Sequence, residues 1–239
     1  MPESVVAPSA IIGPDVVIGD GCEIGPNCVI EGAVTIGDRT VLAAGCMVGT
    51  RGRPGLRQGG MPAGRVEIGA DVLLLEHVVV NAPLAEVTRI SDRSSVGPLG
   101  LIAHDVEIGT DVIVAGHVAL GGYVSVGDRA NLGLGVRVHP RLVVGAFAMC
   151  GMGAVVTRHV SPGVTVQGNP ARAATVNAIG LQRGGIGADD QAEWEDALRS
   201  GRPPRPGGAL AAHVEMFRGR TARWGRARPA LPDHHWLSP

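Results

Sequence analysis

Residues 12–47 divide into six consecutive units of six residues: IGPDVV, IGDGCE, IGPNCV, IEGAVT, IGDRTV and LAAGCM. An aliphatic residue opens every unit, and the fifth residue of each unit is small or β-branched. A period of six fits neither an amphipathic helix nor an alternating strand. It is instead the signature of a parallel β-helix, in which each unit forms one side of a coil.

The same phase continues along most of the chain. It resumes at Ile68, Leu74 and Val80, and every sixth residue from Ile90 to Val156 is again aliphatic or cysteine. Three units make a triangular coil of eighteen residues whose aliphatic side chains point inward. The sequence therefore predicts an all-β solenoid over residues 1–175.

Two insertions interrupt the repeat, at residues 50–65 and around residues 82–86. Loops that leave a rigid solenoid often carry binding functions, because coil stacking does not need them. The first insertion contains four arginines, Arg57 among them, and this composition favours an anionic ligand.

A small α-helical extension is predicted over residues 176–239. Residues 189–199 and 209–224 have helical apolar spacing, and a Gly/Pro-rich break separates them. The last dozen residues are expected to form a loose terminus.

Composition excludes several classes of protein. The net charge of −1 gives no support for a nucleic-acid or anionic-membrane partner. The sequence has no run of about 18 apolar residues that would span a bilayer. Its N-terminus lacks the features of a signal peptide, so a cytoplasmic location is expected. The four cysteines fall in inward positions without a CxxC motif, and we interpret them as core residues.

The 18-residue spacing brings polar residues together at one edge of the solenoid. One coil after His104 comes Gly122, followed by Tyr123, and His139 lies close to the same column one coil later. A rim histidine above a glycine suits a general base, oriented either by Asp105 or by another carboxylate. The backbone N–H of Gly122 could stabilise an oxyanion.

A metal site is not expected within one chain. His77, His117 and His159 lie outside this column, so the histidines do not form a three-ligand set. The His-x4-His spacing of the β-helix carbonic anhydrases is also absent, which disfavours a metal-dependent hydratase.

Four segments carry a resemblance to a known family: IAHDVEIG at 102–109, LGGYVSVGD at 120–128, VRVHPRLVVGA at 136–146 and VQGNPARAATVNAIGLQRGGI at 166–186. The chain resembles the UDP-N-acetylglucosamine O-acyltransferases of lipid A biosynthesis. The last segment is the most specific, since it lies outside the hexapeptides. The resemblance implies a left-handed β-helix and a homotrimer with active sites between prisms.

The resemblance also implies residue roles. His104 matches the family's general base, which deprotonates a sugar hydroxyl for attack on an acyl thioester, and Gly122 matches the oxyanion donor. His139 and Arg183 match positions associated with the nucleotide and the donor. Arg57 matches a basic residue of the inserted loop.

Several positions depart from the family pattern. Leu101 and Tyr123 replace family histidines, and the segment beginning at Asn81 replaces a His-Arg-Gly-Thr stretch. Met152 stands where the family often has glycine at the base of the acyl channel, which favours a shorter acyl chain. Substrate contacts are also expected from Gln167 and Asn169 in the last matching segment.

These observations predict an acyltransferase that uses an acyl thioester, on acyl carrier protein or CoA, and no further cofactor. The acceptor is a hydroxyl or amine of a sugar nucleotide or a related small molecule. A CoA-dependent acyltransferase acting on an amino sugar is a second enzyme interpretation. A non-catalytic trimer that binds a sugar nucleotide or acts as a scaffold is the alternative outside enzymes.

Overall fold

The protein is a parallel β-solenoid built from three sheets, here named A, B and C in the order in which the chain visits them. The computed structural model describes residues 3–51, 64–202 and 204–223. Every strand except the last pairs in parallel with the strand one coil away, as Leu101 pairs with Val79 before it and Ala119 after it. The solenoid predicted from the hexapeptides is confirmed.

The strands are short, and most of them contain two residues. Sheet A contains Val5–Val6, Glu23–Ile24, Val41–Leu42, Leu73–Leu74, Ser95–Val96, Ile113–Val114, Asn131–Leu132, Met149–Cys150, Val164–Gln167 and the antiparallel Arg172–Val176. Sheet B contains Ile11–Ile12, Val29–Ile30, Met47–Arg51, Val79–Ala82, Leu101–Ile102, Ala119–Leu120, Arg137–Val138 and Val155–Val156. Sheet C contains Val16–Ile18, Val34–Ile36, Arg65–Ile68, Val87–Ile90, Glu107–Ile108, Ser125–Val126 and Val143–Val144.

The core is a column of aliphatic side chains along the prism axis. Residues such as Ile102 and Leu120 are fully buried, and each stacks on the aliphatic residue of the next coil. The four cysteines are free and buried, as expected for core residues. Burial raises the pKa of the Cys46 and Cys150 thiols to about 12, so these thiols remain protonated and unreactive.

The first coil departs from the predicted pattern. Ile12 is in phase with the inward positions, but its side chain is 36% exposed. Among the described residues no coil lies above Ile12, so the upper side of this first layer is open to solvent.

Three helices follow the strands: α1 at Ala178–Arg183, α2 at Ala188–Ser200 and α3 at Ala211–Ala222. The predicted helices correspond to α2 and α3, whereas α1 was not predicted. None of these helices is long and apolar enough to cross a membrane, within the part of the chain that the structure describes.

Two of the helices pack on the last coils. The buried indole of Trp194 in α2 donates a hydrogen bond to the Pro162 carbonyl at 2.9 Å. Helix α3 packs Phe217 against Val143 on the outer face of sheet C. The helices therefore cover the C-terminal end of the solenoid, while no described residue covers its first coil.

A buried histidine lies between the last coil and α3. His159 is 1% exposed, and its Nδ1 accepts a hydrogen bond from the Val143 amide at 2.9 Å. Its Nε2 therefore carries the proton, and this atom has no hydrogen-bond partner among the described residues. The Phe217 ring lies edge-on at 6.3 Å, and burial lowers the pKa of His159.

This lowered pKa predicts an acid-sensitive fold. As the pH falls below the ordinary histidine value of about 6.5, the unfolded chain takes up a proton before the folded one, so stability falls. We expect the melting temperature of His159→Asn to fall less steeply than that of the wild type between neutral and mildly acidic pH. Parallel curves measured by calorimetry would contradict this assignment.

Candidate active site

Both insertions leave the solenoid at the same corner, where the chain passes from sheet B to sheet C. The first connects Met47–Arg51 to Arg65–Ile68, and the second connects Val79–Ala82 to Val87–Ile90. His104 occupies this B–C corner on the following coil. Arg57, predicted to bind substrate, lies outside the described residues.

The structure pairs His104 with its sequence neighbour. The Nδ1 atom of His104 lies 2.9 Å from Oδ2 of Asp105, and the two side chains are 14% and 6% exposed. Asp105 adopts a left-handed backbone conformation, with φ of +58°. The sequence did not decide which carboxylate orients His104, and in the structure it is Asp105.

The Asp105 carboxylate also holds the second insertion. Its Oδ2 accepts the Leu84 amide at 2.9 Å, and its Oδ1 accepts the amides of Ala85 and Glu86 at 2.9 and 3.3 Å. Because backbone amides supply these hydrogens, the hydrogen between Asp105 and His104 comes from the imidazole Nδ1. The Nε2 atom of His104 is then left with its lone pair.

Gly122 makes room for the imidazole. A Cβ atom on Gly122 would lie 2.4 Å from Cε1 and 2.6 Å from Nε2 of His104. Among the described residues, the Gly122 amide donates to no backbone carbonyl. The glycine thus leaves both space and an available N–H beside the lone pair of the base.

Tyr123 forms one wall beside His104. Its ring contacts the imidazole edge-on at 5.1 Å, and the Arg141 guanidinium lies 5.2 Å from the ring centre. Burial, followed by the nearby Asp105 carboxylate, raises the pKa of the Tyr123 phenol. The phenol is therefore a neutral hydroxyl at physiological pH.

A small cleft of about 60 Å³ opens from this corner onto sheet C. Glu107 and Ser125 line it on the sheet, and Arg220 and Arg223 line it from α3. Arg220 hydrogen-bonds the Ser125 hydroxyl, so α3 reaches the same corner as the dyad. The sequence carried no signal for this contact, because nothing in the periodicity fixes where a helix after the solenoid will pack.

Two more predicted residues lie along the B–C corner. The Asn81 side chain donates to the Thr50 hydroxyl at 3.2 Å, next to both insertions. His139 is exposed two coils beyond His104, with its Nδ1 3.2 Å from the Pro140 carbonyl.

The remaining predicted residues lie elsewhere on the prism. Met152 is 75% exposed at the corner between sheets A and B, and Gln167 and Asn169 follow at the end of the last coil. Arg183 ends α1 and lines a groove of about 500 Å³ that includes Ile113, Asn131 and Met149 from sheet A. A single chain therefore does not bring Arg183 to His104, since sheet A is the side of the triangle opposite the B–C corner.

No metal centre emerges in the part of the chain that the structure describes, where no three His, Cys, Asp or Glu side chains are grouped to hold an ion. The dyad and the glycine are the groups suited to proton transfer and oxyanion stabilisation.

Comparisons with known proteins place the chain in a family. Residues 15–50 match the family model described as bacterial transferase hexapeptide (six repeats). A curated acyl-[acyl-carrier-protein]–UDP-N-acetylglucosamine O-acyltransferase from Stutzerimonas stutzeri is 36% identical over 187 residues, which are 77% of this chain and 72% of the relative. The chain belongs to the UDP-N-acetylglucosamine O-acyltransferase family.

Other family members are aligned with this chain over a smaller share of their own length. The protein from Alkalilimnicola ehrlichii is 36% identical over 56% of this chain and 54% of its own length. The one from Synechocystis is 35% identical over 72% of this chain and 62% of its own length. The chain thus spans between half and two thirds of these relatives.

Solved structures agree on the fold. UDP-N-acetylglucosamine acyltransferase from Bacteroides fragilis superposes with a TM-score of 0.68 at 21% identity, covering 99% of this chain and 94% of that one. The Arabidopsis acyltransferase gives a TM-score of 0.67 at 23% identity, covering 92% and 88%.

The contact between Gly122 and His104 gives a direct test of the site. In Gly122→Ala the new methyl group would overlap the imidazole, so we expect the ring to be displaced and transfer to fall about tenfold to a hundredfold. The solenoid should remain folded by circular dichroism. Unchanged turnover would show that the position of this ring is not critical. A matched control is Gly187→Ala, because Gly187 has open space at its Cβ position and an ordinary φ of −67°.

Proposed function

We propose that this protein is an acyltransferase that moves an acyl group from a thioester to a hydroxyl or amine of a sugar nucleotide or a related small acceptor. The observation that carries the proposal is the His104–Asp105 dyad, with the Gly122 amide beside the free Nε2. Family membership supports the reaction class. The names of the relatives specify acyl carrier protein as donor and UDP-N-acetylglucosamine as acceptor.

The proposed chemistry needs only these groups. Nε2 of His104 removes the proton from the acceptor hydroxyl as its oxygen attacks the thioester carbonyl. The Gly122 amide stabilises the resulting oxyanion, while Asp105 stabilises the imidazolium. When the tetrahedral intermediate collapses, the C–S bond breaks, the thiolate takes the proton from His104, and the ester is released with the free thiol.

The pocket around the base favours an acceptor different from that of the relatives. By the resemblance, Leu101 and Tyr123 stand where the family has histidines, so an apolar side chain and a neutral phenol replace two imidazoles. Fewer polar groups are then available to bind sugar hydroxyls. Met152, at the proposed base of the acyl channel, favours a short acyl chain.

We also propose that the active protein is a homotrimer with each site shared between two copies. His104 and Arg183 lie against different sides of one prism, and a cyclic assembly joins two different surfaces of neighbouring copies. The exposed Leu101 and Met152 provide apolar surface for such contacts.

The function is tested by mass spectrometry of the purified protein with a series of acyl-carrier-protein and CoA thioesters and a set of UDP-sugars. We expect an acyl mass shift on one acceptor, with shorter chains preferred. His104→Ala should lower the rate by about 10²–10⁴-fold, the usual contribution of a general base. His77→Ala, an exposed corner histidine outside the site, is the matched control. Full activity of His104→Ala would overturn the mechanism, and a UDP-sugar that stays bound without transfer would favour the binding-protein alternative.

A shared site makes a separate prediction. His104→Ala and Arg183→Ala should each be nearly inactive alone. Co-expression should restore part of the rate, because some interfaces in a mixed trimer combine an intact His104 with an intact Arg183. Size-exclusion chromatography with light scattering would confirm the trimer. Mixed trimers without any recovery would argue for a site within one chain.

A further inference from the structure

Residues 83–85 of the second insertion lie between two paired strands and, in the described structure, pair with no neighbouring coil, yet the insertion contacts the dyad. It adds four residues to the regular coil between Val80 and Ile90. Its amides at Leu84, Ala85 and Glu86 all point at one acceptor, the carboxylate of Asp105. An ordinary corner of this solenoid is shorter. The corner that contains His104, for example, has only three residues between the inward Ile102 and Val106.

We infer that these backbone amides are positioning groups for the base, a role that deepens the proposed function and rests on it. They bind both oxygens of Asp105 and so fix the rotation of its carboxylate. That carboxylate in turn fixes His104 as the tautomer with its proton on Nδ1. The second insertion is therefore part of the catalytic apparatus through its backbone amides.

The distances show that the two carboxylate oxygens of Asp105 accept hydrogen bonds from different partners. Oδ2 receives the Leu84 amide and the His104 Nδ1, both at 2.9 Å, while Oδ1 receives the other two amides. From the opposite side, the Asp105 amide donates to the Thr88 hydroxyl at 2.9 Å, just after the insertion. With both oxygens and the backbone held, the carboxylate side chain is only 6% exposed and has little freedom to turn away from His104.

The tautomer matters because free histidine in water prefers its proton on Nε2, and that form has no lone pair where the acceptor hydroxyl would lie. A carboxylate that accepts from Nδ1 reverses this preference. A carboxylate that could rotate away would accept from Nδ1 only part of the time, so the imidazole would spend part of its time in the other tautomer. The insertion thus fixes His104 in the tautomer that can act as a base.

The decisive variant replaces residues 83–87 with a single glycine. This restores the regular coil length and keeps Thr88, and glycine tolerates the left-handed conformation that a corner requires. Two milder variants, Leu84→Pro and Ala85→Pro, each remove one amide donor. Leu84→Ala and Ala85→Ser retain the amides and serve as matched controls.

The first measurement is kinetic. We expect the glycine replacement to lower kcat by about ten- to a hundredfold with KM nearly unchanged and the proline variants to lower kcat less. Each control should retain a higher kcat than the proline variant at the same position. In the His104→Ala background the glycine replacement should have almost no further effect. A further fall in that background, or an increase in KM alone, would mean that the insertion contacts substrate and would overturn the inference.

The second measurement does not depend on turnover. In the purified protein with ¹⁵N-labelled histidine, at alkaline pH where imidazoles are neutral, the His104 signals are assigned by their loss in His104→Ala. We expect the proton on Nδ1 in the wild type and mainly on Nε2 after the glycine replacement. An Nδ1 proton that persists without the insertion would refute the positioning role. If no transfer is ever detected, this result still decides the inference separately from the proposed function.

Discussion

The pairing of each strand with the strand one coil away, eighteen residues along wherever no insertion intervenes, is the constraint on which this molecule depends. It aligns small and aliphatic side chains into a column of fully buried residues, and it stacks every corner on the corner of the next coil. Gly122 lies below the imidazole of His104 for this reason alone. The chemistry of the corner is therefore a product of the register that also builds the core.

The periodicity was sufficient to predict the solenoid, its buried cysteines and the column that contains His104 and Gly122. It could not show that the neighbouring Asp105 is the orienting carboxylate, because adjacent corner residues can point apart. The left-handed backbone at Asp105 is what turns its side chain toward both His104 and the insertion. Amide donors leave no trace in a sequence, so the three contacts from the insertion were also invisible.

The parts that lie outside the repeat were predicted least well. The apolar spacing located α2 and α3 to within about two residues, but α1 was missed because it is only one and a half turns long. Nor could spacing indicate that α3 crosses sheet C and brings Arg220 to Ser125. The described positions taken from the family resemblance lie apart: His104 and Gly122 are at the B–C corner, whereas Arg183 lies beside sheet A and Met152 is at the corner between sheets A and B.

The two ends of the solenoid differ in how well they are protected, because helices cover the last coil and no described residue covers the first. Each coil contacts only its neighbours, so an end coil has one neighbouring coil to stabilise it and an interior coil has two. At the N-terminal end, Ile12 is partly exposed and nothing in the described chain lies above it, whereas at the other end the indole of Trp194 is fixed to Pro162. Within the described chain, the less protected end coil is therefore the one far from the dyad, and several coils lie between it and the corner where His104 is held.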